Sequence, residues 1–499
     1  MVNWLFVVTH RQESWRRDRH GLEHMCRRAF LTLSIVGSLS FIGCAATPPP
    51  VPRGSVNPVA LEVCSTKGSA CLGPTDQKHH SKPSSAELMS TAYLAIVRES
   101  IVPANPRVVA IAALTAIASL EPERARSLPS GFGADAERDA AWLAERVAGL
   151  PAPWPVLGAM TRATGTAHVG LSTPTSTRGM RALITGKPLS AHGFNVYPLA
   201  DGRFVVFDVI KGASADLSGL HAGDVLVRIG SELVTRQVPL LLPIITLPAG
   251  AELTLGIERA NRPAEIVLRL IEADIPPVES RLLADGIAYV HIRWFARSED
   301  SEHDTAALAR RAFESLAAQG ARGLVLDLRS ALGGIGDAGI ASALSDGDVV
   351  YYVKQPLSEP ARPVKRDGKR YWPDRPIVVL VNEQTISAGE ALALAVRELA
   401  HAKVVGQTSA GGLTEGSFIA LADDHALLIP TGVVLGPVTR VDQPGHAIKP
   451  DIEVPNPTID ELISGRDRQL EAARAALATR PPRPRAETST MNLPEGDDL

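Results

Sequence analysis

Aromatic residues are scarce, 4% of 499 residues, and no charge sign dominates: 51 Lys and Arg face 54 Asp and Glu, a net charge of −3. A near-neutral chain gives no general argument for nucleic-acid binding. All four cysteines, Cys26, Cys44, Cys64 and Cys71, precede residue 72. Cys64 and Cys71 lack further ligands nearby, so no metal site and no cofactor is expected. Outside the N-terminus no apolar run approaches the ~20 residues of a spanning helix. What is there is ordinary globular material, 45% hydrophobic and 21% charged. That excludes a wholly disordered chain and leaves length for about three domains. The many Ala, Pro and Arg residues read as genome composition bias.

Residues 1–44 read as a targeting segment. Arg27-Arg28 precede an apolar run from Ala29 to Ile42, which ends in Phe41-Ile42-Gly43-Cys44. A basic flank, a short apolar stretch of about 15 residues and a small residue at the cut describe a secretory signal. Cysteine straight after Ile-Gly resembles a bacterial lipobox, in which Cys44 is lipidated and becomes residue one. Arg-Arg-Ala-Phe-Leu loosely resembles a twin-arginine signal, and Met25 is an alternative start. The expected location is the bacterial cell envelope, lipid-anchored at the periplasmic or extracellular face; Ala45 mildly favours the outer membrane. Residues 45–85, rich in Pro, Ser, Thr and Gly, read as a flexible tether. In an oxidising envelope Cys64 and Cys71 are placed to close a disulfide loop within it.

The mature chain reads as a multidomain α/β protein. Residues 86–180 are expected to be helical, with apolar residues at 3–4 spacing and prolines at the breaks. Residues 188–272 turn β-rich, with runs Phe204–Ile210, Val225–Ile229, Glu252–Glu258 and Ala264–Leu270. Between them, Gly212-Ala213-Ser214-Ala215-Asp216-Leu217-Ser218-Gly219-Leu220-His221-Ala222-Gly223-Asp224 resembles the core of a PDZ domain. His192-Gly193-Phe194-Asn195 stands where such domains place a carboxylate-binding loop, so Gly193, Phe194 and Asn195 are the peptide-binding candidates. Residues 273–457 alternate strand and helix. A helix is expected over 458–479, on the surface, and a disordered tail over 480–499.

Chemistry points to two strand ends. Pro376–Val381 runs into Asn382-Glu383-Gln384-Thr385-Ile386-Ser387-Ala388-Gly389-Glu390. A serine where a buried strand meets a helix N-terminus is well placed as a nucleophile, with the Ala388 N–H facing a developing oxyanion. Taken alone, Ser387 equally reads as a helix N-cap. Leu326-Asp327-Leu328-Arg329-Ser330-Ala331-Leu332-Gly333-Gly334 ends another strand, and Gly333 and Gly334 offer further oxyanion donors, or a plain tight turn. In a parallel sheet both strand ends open to one side, so Ser387 and the glycines can converge.

In order along the chain, the PDZ-like module, "LDLR-x-x-x-GG", "VNE-x-x-x-SA-x-E", "G-x-x-x-AG-x-x-T" and "I-x-PDIEV" resemble the S41 peptidases, the C-terminal processing and tricorn-core serine proteases. The resemblance covers roughly residues 160–455 and implies a ClpP/crotonase-like α/β peptidase core. Ser/Lys members carry a lysine about 24 residues after the serine. Here that segment reads Gly406-Gln407-Thr408-Ser409-Ala410-Gly411-Gly412, with glycine in the lysine's place, and Lys403 and Lys449 fit no motif. The tricorn-like branch uses a histidine ahead of the PDZ-like region, which implies His168 in Thr166-Ala167-His168-Val169. Asp442 is the implied orienter, and Glu390 is given a structural role.

The function implied is a cell-envelope serine endopeptidase that cleaves unstructured or C-terminal segments of proteins. Its partners are protein or peptide substrates, captured by their C-termini, with no nucleic acid. The alternative is a catalytically degenerate PDZ-containing scaffold; a hydrolase of small or lipidic ligands is a further rival.

Overall fold

The computed structural model describes residues 82–478 apart from 125, 167, 187–188, 191, 200, 235–248, 274, 337, 356–359 and 441–446. The signal, the lipobox at Cys44, Cys64, Cys71 and the tail over 480–499 lie outside the described residues, as does Asp442. No described helix is long and apolar enough to cross a membrane.

Four helices open the described chain: Ser85–Leu94, Pro106–Leu120, Ala136–Val147 and Trp154–Ala163. Their starts follow local chemistry. Ser84 and Glu87 form a reciprocal capping box, and Asn105 and Asp135 cap the next two through their side chains. Met89, Tyr93, Ile117, Leu143, Leu157 and Met160 face one another, fully buried. This bundle is not self-contained. The strand Gly170–Ser172 that follows it pairs antiparallel with Ala426–Leu435, and Leu427 and Ile429 enter the bundle's core.

A separate antiparallel sheet takes its strands in chain order: Phe194–Pro198, Phe204–Val209, Val225–Ile229, Glu252–Arg259 and Arg262–Arg269. The short helix Ser214–Leu217 lies in the connection after the second strand.

The central sheet holds the site. Its order is Val278–Leu282, Ile287–Ile292, Gly323–Asp327, Ile377–Val381, Lys403–Gly406, Ile452–Glu453, parallel except for the first pair. Ile377–Val381 is apolar throughout because both its faces are covered. Ile377, Val379 and Val381 pack with Phe313, Leu392 and Val396, from the helices Thr305–Ala318 and Ala388–Leu399. Val378 and Leu380 face the other way, onto Ala473 and Leu477 of Arg468–Ala478. At ~1.5–3 kcal/mol per buried aliphatic side chain, this strand is among the strongest determinants of the fold.

One expectation is corrected here. The segment 458–479 forms two helices, Ile459–Ile463 and Arg468–Ala478, broken at Gly465, whose φ is +72°. The second lies on the surface, as expected, with Ala473 and Leu477 packed on Tyr289, Val325 and Leu380 of the central sheet.

Candidate active site

Ser387 stands between the strand Ile377–Val381 and the helix Ala388–Leu399, with φ 58° and ψ −118°. A serine that only capped a helix would have extended backbone, as Ser84 and Thr458 do at φ −70° and −73°. The left-handed conformation of a non-glycine residue costs ~1–3 kcal/mol and persists only where the surroundings enforce it. Here they do. Thr385 Oγ donates to the Leu328 carbonyl (2.8 Å), the Ile386 N–H donates to the Ala331 carbonyl (3.1 Å), and the Ser387 N–H donates to Glu390 Oε2 (2.9 Å). Ser387 is thus the N-cap of this helix, in a capping box with Glu390, and its left-handed backbone sets it apart from the other caps.

The glycine pair meets the serine. A Cβ on Gly333 (φ +77°) would lie 2.7 Å from Ser387 Cβ and 3.3 Å from its Oγ. The segment is clamped through an isolated parallel bridge between Phe295 and Gly334 by Leu332 N–H to the Arg293 carbonyl, Phe295 N–H to the Gly333 carbonyl and Ile335 N–H to the Phe295 carbonyl, all 2.8–2.9 Å. Gly334 (φ +130°) has no room for a side chain, since a Cβ there would sit 2.3 Å from the Phe295 carbonyl oxygen. Among the described residues, the N–H groups of Gly333, Gly334 and Ala388 have no hydrogen-bond partner.

His168 reaches this place across the tertiary fold, because the pairing of Gly170–Ser172 with Ala426–Leu435 fixes the turn that carries it. Its ring is 8% exposed, and burial pushes its pKa down to about 4. It is therefore neutral near pH 7, as a general base must be. Nδ1 is hydrogen-bonded to Thr414 Oγ. His168 and Ile386, the serine's neighbour, flank Gly412: a Cβ there would be 2.8 Å from His168 Cε1 and 2.7 Å from Ile386 Cγ1.

Glu390 joins these pieces. Its buried carboxylate accepts from the Ser387 N–H (2.9 Å), Ser409 Oγ (2.5 Å), the Gly411 N–H (2.8 Å) and the Gly412 N–H (2.8 Å). Burial pushes its pKa up, and these hydrogen bonds pull it part of the way back. The residue ties the nucleophile's turn to the loop under His168, a larger part than its sequence position foretold. Thr414 belonged to a recognised motif but carried no assigned role; its meaning is visible only once His168 is beside it. Lys403 and Lys449 are exposed.

Gly193, Phe194 and Asn195 line a cavity shared with the central domain, whose other walls include Arg293, Ser330 and Leu332. His192 is buried beside them with Nε2 unpartnered, and burial lowers its pKa to about 4. Gln384 donates to the Val196 carbonyl, joining the nucleophile's loop to the small sheet. Among the described residues no cluster of His, Cys, Asp and Glu is arranged to hold a metal ion.

A strained serine at the end of a parallel strand, free backbone donors and a buried neutral histidine from a neighbouring antiparallel sheet are the kinds of group that serine hydrolases use. The family model for peptidase family S41 matches residues 286–454, and the chain carries a domain of that serine-type peptidase family. It is 28% identical over 282 residues to the carboxyl-terminal-processing protease of Synechocystis sp., covering 53% of this chain and 62% of that one. It is 28% identical over 218 residues to the carboxy-terminal processing protease CtpA of Bacillus subtilis, covering 42% and 45%. The chain thus spans between about half and three-fifths of the length of several curated relatives. A solved photosystem II D1 C-terminal processing protease is similar at TM-score 0.49 and 19% identity, over 75% of this chain and 94% of that one.

Proposed function

We propose that this chain is a serine endopeptidase of the bacterial cell envelope, acting through an acyl-enzyme on Ser387 with His168 as base. The observation that carries the reading is the strained Ser387 backbone pressed against Gly333, with the His168 ring beside the neighbouring Ile386. Ser387 Oγ bonds the substrate's carbonyl carbon as His168 takes its proton. The carbonyl oxygen becomes an oxyanion held by the N–H groups of Gly333 and Ala388. The amide C–N bond then breaks as the imidazolium gives its proton to the leaving amine. Water, deprotonated by His168, releases the acyl group and regenerates the serine.

The substrates are unstructured or C-terminal segments of proteins. The relatives named for carboxyl-terminal processing support this, as does a cavity that runs from the Gly193-Phe194-Asn195 loop towards Ser330 and Leu332. In this reading residues 188–272 are a PDZ-like module that presents the substrate's end. Cys44 carries the lipid anchor, and Asp442 remains a proposed accessory to the site.

The test is digestion of β-casein by the purified protein beside Ser387→Ala and His168→Ala. Cleavage by the parent and by neither folded variant is expected. Cleavage surviving in Ser387→Ala would remove the nucleophile from this site, and a folded parent that cleaves nothing would favour the scaffold.

A further inference from the structure

We infer that Thr414 is the positioning residue for His168, its hydroxyl being the partner of Nδ1 among the described residues. This rests on the proposed serine peptidase reading and deepens it. Thr414 opens the strand Thr414–Ala420, and that strand pairs along Ala426–Leu435. The opposite edge of Ala426–Leu435 carries Gly170–Ser172, two residues beyond His168. Ala426–Leu435 therefore carries both segments, and His168 and Thr414 meet although they are 246 residues apart. Thr414 is 5% exposed, His168 is 8% exposed, and the hydroxyl oxygen meets Nδ1. The Thr414 N–H is anchored to the Gly412 carbonyl at 2.7 Å. Glu390, the nearby carboxylate, is occupied by the donors of Ser387, Ser409, Gly411 and Gly412.

The chemistry follows from which nitrogen carries the proton. With Nδ1–H donating to Thr414 Oγ, Nε2 bears the lone pair and is the atom that accepts the Ser387 proton. When Nε2 is protonated the ring keeps its Nδ1–H bond, so the threonine holds orientation through both proton transfers. A hydroxyl adds no negative charge, so it stabilises the imidazolium less than a carboxylate would. The base stays weak and its working range extends into acid.

The experiment follows the full chain by two readouts, the rate of Ser387 labelling by a fluorophosphonate and the cleavage of β-casein, each across pH. Thr414→Val keeps the shape and removes the acceptor; labelling and kcat are expected to fall about 10–100-fold with KM little changed. Thr414→Ser restores the hydroxyl and is expected to recover the rate to within about threefold. Thr414→Asp supplies an accept-only partner and a charge, and is expected to keep activity while moving the acid limb of the rate profile to higher pH. Wild-type rates in Thr414→Val, with His168→Ala unreactive, would overturn the positioning role and leave the base in place. A reactive His168→Ala, or a folded parent that neither labels nor cleaves, would overturn the reading beneath it. If Thr414→Val fails to fold, the acid limb of Thr414→Asp decides: an upward shift supports the assignment and an unmoved limb overturns it.

Discussion

Gly412 and His168 compete for one space: a Cβ on residue 412 would lie 2.8 Å from His168 Cε1 and 2.7 Å from Ile386 Cγ1. Both distances are shorter than any van der Waals contact, so a histidine here and a side chain at 412 exclude one another. The resemblance to Ser/Lys processing proteases places their lysine close to Gly411, beside this point of the chain. In this structure the His168 ring and Ile386 take up the space that a side chain at 412 would need.

Gly412→Ala is therefore expected to impair activity while the chain still folds. Gly412 is not held in a left-handed backbone conformation, so the damage is steric, and overpacking of this kind costs ~1–3 kcal/mol. Fluorophosphonate labelling should slow at least tenfold, with only a modest drop in Tm. Gly412→Lys should be no more active than Gly412→Ala. Parental labelling rates in Gly412→Lys with His168 still in place would show that both side chains fit and would overturn the exclusion.

Gly333→Ala attacks the same centre from the other side. Its φ of +77° strains any side chain, and the added Cβ would press on Ser387 Cβ at 2.7 Å. It also disturbs a free N–H that serves the oxyanion, a loss worth about 100-fold or more in kcat. The expected outcome is abolished cleavage with a stable fold, read by casein digestion beside circular dichroism. Retained activity would remove Gly333 from the site.

Much of this was legible from the residues. The strand at 377–381 and the helix after Ser387 follow from an apolar run broken by polar turn residues, and the glycine pair marked its own turn. The strands at 204, 225, 252 and 264 lay within a residue or two of those observed, because alternation and turn chemistry act locally. The sheet that carries His168 was harder. Gly170–Ser172 is three residues long, and Val349–Lys354 and Thr414–Ala420 mix polar with apolar residues. Their pairing with Ala426–Leu435 is non-local, so no window of sequence contains it. The contact of Thr414 with His168 was hidden for the same reason, whereas the structural role of Glu390 was legible and only its bonds to Ser409, Gly411 and Gly412 were not.

The Asp327–Arg329 pair shows what the "LDLR" residues do besides leading to the site. Asp327 and Arg329 are buried, with Arg329 Nη2 2.6 Å from Asp327 and 2.8 Å from Asp467, and Tyr289 Oη donating to Asp327 at 2.8 Å. Burial alone would raise the Asp327 carboxyl; Arg329 reverses this and holds it low. The pair ties the end of the Gly323–Asp327 strand to the start of the C-terminal helix. Removing one partner strands a buried charge, so Arg329→Met is expected to cost ~3–5 kcal/mol, measured by urea denaturation. A loss below ~1 kcal/mol would show the network to be solvent-relaxed.

Acid should destabilise the protein through His168 in a definite window. Burial lowers its folded pKa to about 4, against an ordinary 6.5. Above pH 6.5 the ring is neutral folded and unfolded, and nothing is lost. As pH falls from 6.5 towards 4 the unfolded chain takes up the proton first, so stability declines; below about 4 both states are protonated and the decline stops. The full effect is on the order of 3 kcal/mol, and His192, depressed to about 4 by its own burial, acts in the same direction. Carboxyl groups titrate in this range too, so the measurement is a difference. Denaturant midpoints of the wild type and His168→Gln are compared at pH 7.5, 5.5 and 4.5, and the wild-type advantage should shrink with each step into acid. The acid limb of kcat/KM should fall nearer pH 4 than 6.5. A limb at 6.5 with a constant stability difference would mean that His168 is open to water, and a buried neutral base could not then be the source of the serine's activation.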